Sequence, residues 1–299
     1  MRIALLVAGP KGAFFLRSID PALDIVCVTS YPSRGLRYDA FAEIRALCEQ
    51  RRLPYRDFES IKGREATIDA DLIFMVGWQW LLSPADGNLD ERFIVLHDSL
   101  LPKLRGFNPT VTAIIAGDST CGVTAFRPDG GVDSGPMCGQ RALELSGRAK
   151  IGETYERLGE LCADLVCDVA QQYAAGTLQF TQQPHVNATY SLWRGEDDYE
   201  IDWSLSAERI CRFVAAVGWP YLGAKTAVNG NAIRVDRIEP MPDLDFPLRQ
   251  PGKIWSLRDG TPSVVCGSGM VNIVEARDER GDPYRFTALR TRLGAPRSL

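Results

Sequence analysis

The chain has 299 residues, 45% of them hydrophobic, and a formal net charge of −4, which is ordinary for a globular protein and argues against a broadly basic nucleic-acid surface. The opening MRIALLVAGPKG holds too short an apolar run for a signal peptide, and no apolar stretch is long enough for a membrane helix. Eight scattered cysteines without a CxxC pair predict no metal site and a cytoplasmic protein with reduced thiols.

The first part of the chain alternates buried strands with amphipathic helices. Apolar runs predict strands at Ile3–Ala8, DIVCVT, LIFMVG and FIVLH, and helical spacing predicts helices at AFFLRSI, Tyr38–Arg51, Pro109–Ala116 and Ile151–Ala175. CGVTAFR and MCGQRALEL read as paired strands around the turn RPDGGVDSG. This order predicts a Rossmann-like α/β domain with a mostly parallel sheet over residues 1–182.

The pattern changes after residue 182. Residues 183–200 are polar and are interpreted as a linker. Residues 201–299 begin with one predicted helix, Ser206–Val217, and continue as short strands in AKTAVNGNAIRVDRI, GKIWSL, SVVCGSG and MVNIVEA. Asn-Gly between two alternating runs is a strong hairpin signal. We therefore expect a small C-terminal β-barrel domain of OB-like type.

Two titratable residues stand out at the predicted strand ends. His97, one of two histidines in the chain, closes the run FIVLH, and Asp133 lies in the Gly-rich turn. Ligands of open parallel sheets bind beyond the carboxyl ends of the strands. A histidine and an acid that meet there form an orienting pair for proton transfer. The alternative is that His97 caps a loop and Asp133 only favours a tight turn.

Three segments carry a family resemblance: HDSLLPKLRG, then GFNPTVTAIIAGDSTCGVTAF, and GGVDSGP. Together they resemble the formyltransferases that use N10-formyltetrahydrofolate, whose usual pattern is Asn-x-His-Pro-Ser-Leu-Leu-Pro, an Arg-Gly, a strand and a Gly-x-Asp-x-Gly turn. IDWSLSAERICRFVAAVGWPYLGAKT is similar to the start of the barrel domain in methionyl-tRNA formyltransferase and in formyltransferases acting on amino sugars. The resemblance covers most of the chain.

The resemblance implies transfer of a formyl group from N10-formyltetrahydrofolate to an amine through a tetrahedral intermediate. His97 then stabilises the charge on the former carbonyl oxygen or shuttles a proton. Asp133 orients His97 and helps to take the amine proton. Both side chains suit these roles, because imidazole changes charge near neutral pH and a carboxylate fixes its orientation.

One position departs from the family pattern. Two residues before the histidine the family has Asn, whose amide donates to the formyl oxygen, and this chain has Val95. Losing one oxyanion donor costs roughly 10²–10³ in rate. Either His97 and a backbone N–H suffice, or another side chain enters the site, or the protein is a weakened enzyme. Ser99 has the right strand parity, but the family has Ser there too.

The resemblance also assigns residues to the pterin pocket. They are Trp78, Gln79, Trp80, Leu81 and Leu82, which follow a buried strand, and Gly131 and Val132 in the turn. A pterin needs a flat apolar slot with a few polar partners. The two tryptophans are equally well explained as ordinary core aromatics.

Three hypotheses concern the acceptor: a nucleotide-linked amino sugar, the initiator tRNA, or none, in a folate-binding protein that has lost catalysis. The tRNA enzymes carry a longer basic insertion where this chain has SYPSRGLRYD, and Pro where it has Asp98. PKGAFFLRSI also looks more like the sugar enzymes. These features favour the amino sugar, a small-molecule partner, over tRNA. No membrane partner is expected. The oligomeric state stays open, a homodimer included.

Lys103, Arg105 and Asn108 follow the catalytic strand and are the predicted acceptor-binding residues. Arg105 either forks onto a phosphate or pairs with an acid to fix the loop. Tyr190 and Trp193 stack on a base or sugar, or attach the linker to the domains. His185 is expected to be exposed and without a role.

Overall fold

The structure is a computed structural model that describes residues 1–33, 35–80 and 91–294. Contacts divide the chain into two compact units that interleave along the sequence. The first holds Met1–Thr110, Thr120–Glu144 and Glu153–Trp193, and the second holds Val111–Ser119, Leu145–Gly152 and Arg194–Leu299. The domain boundaries placed at residues 182 and 200 stay predictions.

The chain first builds a series of alternating strands and helices. These are β1 (Arg2–Val7), α1 (Gly9–Ser18), β2 (Asp24–Ser30), α2 (Phe41–Arg51), β3 (Tyr55–Asp57), β4 (Leu72–Val76), β5 (Phe93–His97), β6 (Arg105–Gly106), α3 (Pro109–Ala116), β7 (Thr120–Phe126), β8 (Met137–Glu144), α4 (Ile151–Ala174) and β9 (Tyr190–Ser191).

Seven of these strands form the main sheet of the first unit, in the order β3-β2-β1-β4-β5-β7-β8. The pairs from β3 to β5 are parallel, whereas β5–β7 and β7–β8 are antiparallel. Residues Ile3–Val7 and Leu72–Val76 are buried along their whole length, as strands covered on both faces must be. The predicted mostly parallel α/β fold is confirmed.

Some elements differ from the sequence expectation. GPKG, interpreted as a break, already belongs to α1, which has Pro in its first turn, where a missing N–H costs nothing. The strand β3 was not predicted, because Tyr55, Arg56 and Asp57 carry no apolar run. The two-residue strands β6 and β9 pair in parallel with each other and form a separate ribbon. That ribbon shapes the candidate site.

In the longest segment of the second unit, the described residues 194–294 form one α-helix and six strands. They are α5 (Ala207–Ala216), β10 (Ala224–Val228), β11 (Asn231–Met241), β12 (Ile254–Arg258), β13 (Thr261–Val265), β14 (Met270–Asp278) and β15 (Leu293–Gly294).

The six strands form one antiparallel sheet in the order β12-β13-β14-β11-β10-β15. The predicted hairpin is present, and Asn229 and Gly230 have φ of 52° and 87°, the geometry of a two-residue hairpin turn. Beside the edge strands, the Leu293 amide donates to Gly252 O at 2.7 Å and Lys253 bridges to Arg292, so the sheet curls toward a barrel. Among the described residues no helix is both long and apolar enough to span a membrane.

Candidate active site

His97 is the last residue of β5 and lies at the carboxyl edge of the parallel strands. Its neighbour on one side, β4, runs parallel, and Thr124 of antiparallel β7 pairs with it on the other. The side chain is 8% exposed and its ring meets Phe126 edge-on at 6.5 Å between centroids. A buried imidazole at this edge has its orientation fixed before any ligand binds.

Both ring nitrogens of His97 face a defined partner. Nε2 lies 2.9 Å from the backbone oxygen of Leu104, and because a carbonyl only accepts, Nε2 carries the proton. Nδ1 lies 3.5 Å from Oδ2 of Asp133. The structure therefore brings together the two residues predicted from the sequence. In the neutral ring Nδ1 is the atom that is free to take a proton, and Asp133 stands beside it to stabilise the resulting cation.

Burial sets the protonation of this histidine. Desolvation lowers the pKa of His97 below its usual value near 6.5, and the charge of Lys11 lowers it further. The carboxylate of Asp133 and the Leu104 carbonyl act in the opposite direction and do not cancel the effect of burial. The imidazole is therefore neutral at pH 7 and available as a base.

This pKa direction predicts the pH dependence of turnover. As pH falls through the lowered pKa, Nδ1 becomes protonated in the resting enzyme and the base is lost. We therefore expect kcat/KM to be constant near neutrality and to fall on an acid limb whose midpoint lies below pH 6.5. The check is a kcat/KM profile from pH 4.5 to 8, with folding followed by circular dichroism. A midpoint above 6.5 would contradict the proposed protonation state.

Asp133 is held by the tight turn that the sequence predicts. Its φ is +46°, in the left-handed region, and its Oδ2 accepts from the Gly106 amide at 2.7 Å. Asp129 closes the turn, since its Oδ1 accepts from the Gly131 amide at 2.9 Å and from the Ser134 hydroxyl at 2.7 Å. At Gly135 a Cβ would collide with the backbone oxygen of Arg127, so only glycine fits there.

The ribbon of β6 and β9 supports the loop that contacts both His97 and Asp133. The Arg105 amide donates to Thr189 O at 2.9 Å, the Leu104 amide donates to Thr189 Oγ1 at 2.8 Å, and the Phe107 amide donates to Ser191 O at 3.0 Å. A Cβ on Gly106 would collide with Ser191 O, which explains the glycine of the Arg-Gly pair. Part of the segment interpreted as a linker thus belongs to the site.

The predicted acceptor-binding residues lie in different environments. Lys103 is exposed, and Asn108 is half-buried with φ of +49°. Arg105 is only 3% exposed, and its guanidinium donates to Gln183 Oε1 at 2.7 and 3.1 Å and to His185 Nδ1 at 3.0 Å. The partners of Arg105 in the structure are thus not acids, and they come from a segment 78 to 80 residues away.

His185 is exposed, as expected, and its Nδ1 lies 3.0 Å from the Arg105 guanidinium. Tyr190 and Trp193 are 65% and 66% exposed. Their aromatic faces are therefore available to solvent, and Tyr190 lies in the ribbon beside the candidate site.

The predicted pterin-pocket residues follow β4. Trp78 is half-buried, with Tyr31 at 4.9 Å and Phe58 at 5.0 Å between ring centroids, so this ring is part of an aromatic cluster. Trp80 is 46% exposed and carries the Lys62 ammonium 4.3 Å above its ring.

The remaining pocket residues include both exposed and undescribed positions. Gln79 is exposed, and its amide donates to Tyr31 Oη at 2.8 Å. Gly131 and Val132 are exposed on the turn, Val132 by 60%. Leu81 and Leu82 lie outside the described residues.

A buried ion pair next to the histidine was not predicted. Lys11 of α1 is 4% exposed, and its Nζ contacts Oδ1 of Asp98, the residue that follows His97. Burial lowers the pKa of Lys11 to about 8. Lys11 of the PKG segment and Asp98, which are far apart in the sequence, therefore form one ion pair beside His97.

Val95 lies on the same face of β5 as His97, because strand residues two apart share a face. It is partly buried and packs against an apolar cluster that includes Met75 and Phe58, with Trp78 alongside. Its side chain brings no donor to the site. Within the described residues no group of His, Cys, Asp and Glu could hold a metal ion.

Comparison with known proteins identifies relatives of both units. A family model described as formyl transferase matches residues 34–169, and one described as formyl transferase, C-terminal domain, matches residues 195–292. The methionyl-tRNA formyltransferase of Nitrosospira multiformis is 28% identical over 278 residues, which cover 89% of this chain and 88% of that protein.

Solved structures show the same fold. WlaRD, a sugar 3N-formyltransferase solved in the presence of dTDP and 5-N-formyl-THF, gives a TM-score of 0.62 at 14% identity, covering 93% of this chain and 98% of WlaRD. HypX from Aquifex aeolicus with tetrahydrofolic acid gives 0.63 at 16% identity, covering 96% of this chain and 46% of HypX. This chain thus spans about half the length of HypX, and the likeness to both structures concerns the fold.

Proposed function

The chain belongs to the formyl transferase family, and on that premise we propose that it transfers a formyl group to the primary amine of a nucleotide-linked amino sugar. The formyl donor is N10-formyltetrahydrofolate. The single observation that supports a small acceptor is the absence of excess positive charge in residues 194–299. His97 and Asp133 are the proposed catalytic residues.

The residues at the candidate site fit a flat, partly apolar group. Val132 presents a 60% exposed side chain, and a Cβ on the neighbouring Gly130 would meet open space. Trp78 Nε1 is a buried N–H with no hydrogen-bond partner among the described residues. Trp80, Val132 and Gly131 would hold the folate, which supplies the activated formyl group when bound.

The protein's own groups then manage a proton. An amine that forms a bond to carbon must lose one proton, and Nδ1 of His97 takes it because Nε2 is committed to Leu104. The imidazolium is stabilised by the carboxylate of Asp133 at 3.5 Å. The same nitrogen can return the proton to the nitrogen that leaves the formyl carbon, so the histidine ends neutral.

The charge of the C-terminal part favours a small acceptor over a polyanion. Residues 194–299 carry 15 Lys and Arg against 15 Asp and Glu, so this stretch has no net charge. Three of its arginines are paired with acids: Arg234 with Glu196, Arg237 with Glu275 at 2.8 Å and Arg277 with Asp236 at 2.9 Å. A tRNA surface would need several lysines and arginines free for phosphates.

The second candidate acceptor is the initiator methionyl-tRNA. The curated relatives favour it, since the Nitrosospira multiformis protein carries that name over most of both chains. Against it stands the segment between β2 and α2, where only residues 31–40 separate the two elements. Asp39 folds this segment on itself, since its carboxylate accepts from the amides of Ser33 and Phe41, both at 3.1 Å.

The test offers the protein both acceptors under identical conditions. With N10-formyltetrahydrofolate, we expect a mass gain of one formyl group on a member of a panel of nucleotide amino sugars, and little formylation of charged initiator tRNA. Raising salt from 50 to 200 mM should leave the sugar reaction nearly unchanged, because a polyanion interface of 6–10 phosphate contacts would lose about 10³–10⁵ in affinity. Formylation of tRNA at a rate comparable to the best sugar would refute the sugar proposal.

A further inference from the structure

Gln183 lies behind the proposed catalytic pair and is 3% exposed. Its side-chain Nε2 donates to two backbone oxygens of the Asp133 turn, Asp133 O at 2.9 Å and Gly135 O at 2.7 Å. Its Oε1 accepts both hydrogen bonds from Arg105, at 2.7 and 3.1 Å. Both N–H donors of this amide therefore bind the turn that carries Asp133.

Arg105 links this amide to the loop beside the histidine. Its two neighbours in sequence contact the catalytic pair directly, since Leu104 O accepts from His97 Nε2 and the Gly106 amide donates to Asp133 Oδ2. Three successive residues therefore reach the site by three routes: one to the imidazole, one to the carboxylate and one, through Gln183, to the carboxylate's backbone.

We propose that Gln183 is a positioning residue for formyl transfer, which holds the Asp133 turn in register with the His97 loop through Arg105. The inference rests on the proposed roles of His97 and Asp133. Asp133 has a left-handed φ of +46°, an uncommon backbone geometry that the hydrogen bonds around the turn hold in place. Gln183 supplies two of them.

The physical consequence is a fixed distance between carboxylate and imidazole. Without the amide, the Asp133 turn loses two of the hydrogen bonds that hold it, and Oδ2 of Asp133 can move away from Nδ1 of His97. Because a misplacement of about 1 Å can cost about 10² in rate, a small shift of this carboxylate is enough to slow the reaction. We expect acceptor binding to change little, because the Gln183 side chain is only 3% exposed.

The test uses Gln183→Leu and Gln183→Glu in the full-length protein. Leucine removes the hydrogen bonds to Arg105 and those to the Asp133 turn. Glutamate keeps an acceptor for Arg105 but loses both N–H donors to the turn. We expect kcat to fall about 10- to 100-fold in each variant, with the acceptor KM within about threefold of the parent. Equal losses in the two variants would assign the effect to the donors.

A pH profile separates positioning from mere structural support. The groups facing His97 are Asp133, which raises its pKa, and Lys11, which lowers it and is paired with Asp98. If Asp133 moves away, the imidazolium loses its main stabilisation, so the acid limb of kcat/KM shifts to lower pH. A residue that only stabilised the fold would lower the melting temperature and leave this limb in place.

The matched control is Gln182→Leu, at the exposed neighbouring position, which should behave as the parent. If Gln183→Leu folds and keeps parental kcat and acid limb while His97→Ala is inactive, this inference is overturned and the catalytic assignment stands. If His97→Ala itself keeps activity, the proposed catalytic role fails instead. Should neither Gln183 variant fold, the residue is structural and the inference is wrong.

Discussion

Replacing His97 by alanine is expected to lower kcat by about 10³-fold, within the range that general acid–base catalysis contributes. The ring is the proposed base, and its Nδ1 faces Asp133 while Nε2 is bound to Leu104. The measurement is formyl transfer to the best acceptor, with circular dichroism and thermal melting to confirm the fold.

Asp133→Asn tests the charge of the same pair separately from its geometry. The asparagine oxygen still accepts from the Gly106 amide, so the turn is retained, but the imidazolium loses its counter-charge. We expect about a 10²-fold loss, and a double variant with His97→Ala that is hardly worse than His97→Ala alone, because residues acting as a unit fail together. If either single variant kept activity within a few-fold of the parent, the proposed catalytic role of that residue would be wrong.

Val95→Asn is expected to give a less stable protein with equal or higher kcat per folded molecule. The amide adds a donor on the same strand face as His97, and one oxyanion donor is worth up to about 10²-fold in rate. Its cost is an unpaired polar group against an apolar cluster, about 1–3 kcal/mol of unfolding free energy. Stability is measured by urea denaturation and kcat by formyl transfer.

Val95→Thr is the matched control, since threonine keeps the shape of valine and carries a shorter polar group. It should lose some stability without gaining rate. If Val95→Asn folds but loses most activity, valine is part of a different arrangement, and the family role does not transfer to this position. If the parent protein forms no formylated product with any acceptor while Val95→Asn does, the weakened-homologue alternative is correct.

Most strands and helices of the fold could be predicted from the sequence, because the patterns that indicate them lie within short segments. Buried apolar runs such as Ile3–Val7 mark parallel strands, and the Asn229-Gly230 pair marks a hairpin. The short strand Tyr55–Asp57 was missed because it has no apolar pattern and is defined only by its pairing with β2.

The sequence predicts His97 because it closes a strand pattern, and Asp133 because it lies in a Gly-rich turn, and the structure places the two side chains close together. The residues that support them could not be predicted, because the partners of Leu104 and Arg105 are Thr189 and Gln183, and nothing near either segment signals the pairing. Lys11 and Asp98 are likewise brought together only by the order of strands in the sheet.

The ribbon between β6 and β9 also has a consequence for the order of folding. It joins Arg105 to Tyr190, and closing a loop of this length carries a chain-entropy cost of about 4 kcal/mol. Pairing β1 with β4 closes a loop of comparable length, but strands β1 to β5 all lie before residue 98. During synthesis the sheet can therefore assemble well before residue 190 is available, and the surroundings of His97 are completed last. A nascent chain of this protein would acquire its fold first and its aligned proton-transfer pair only near the end of domain folding.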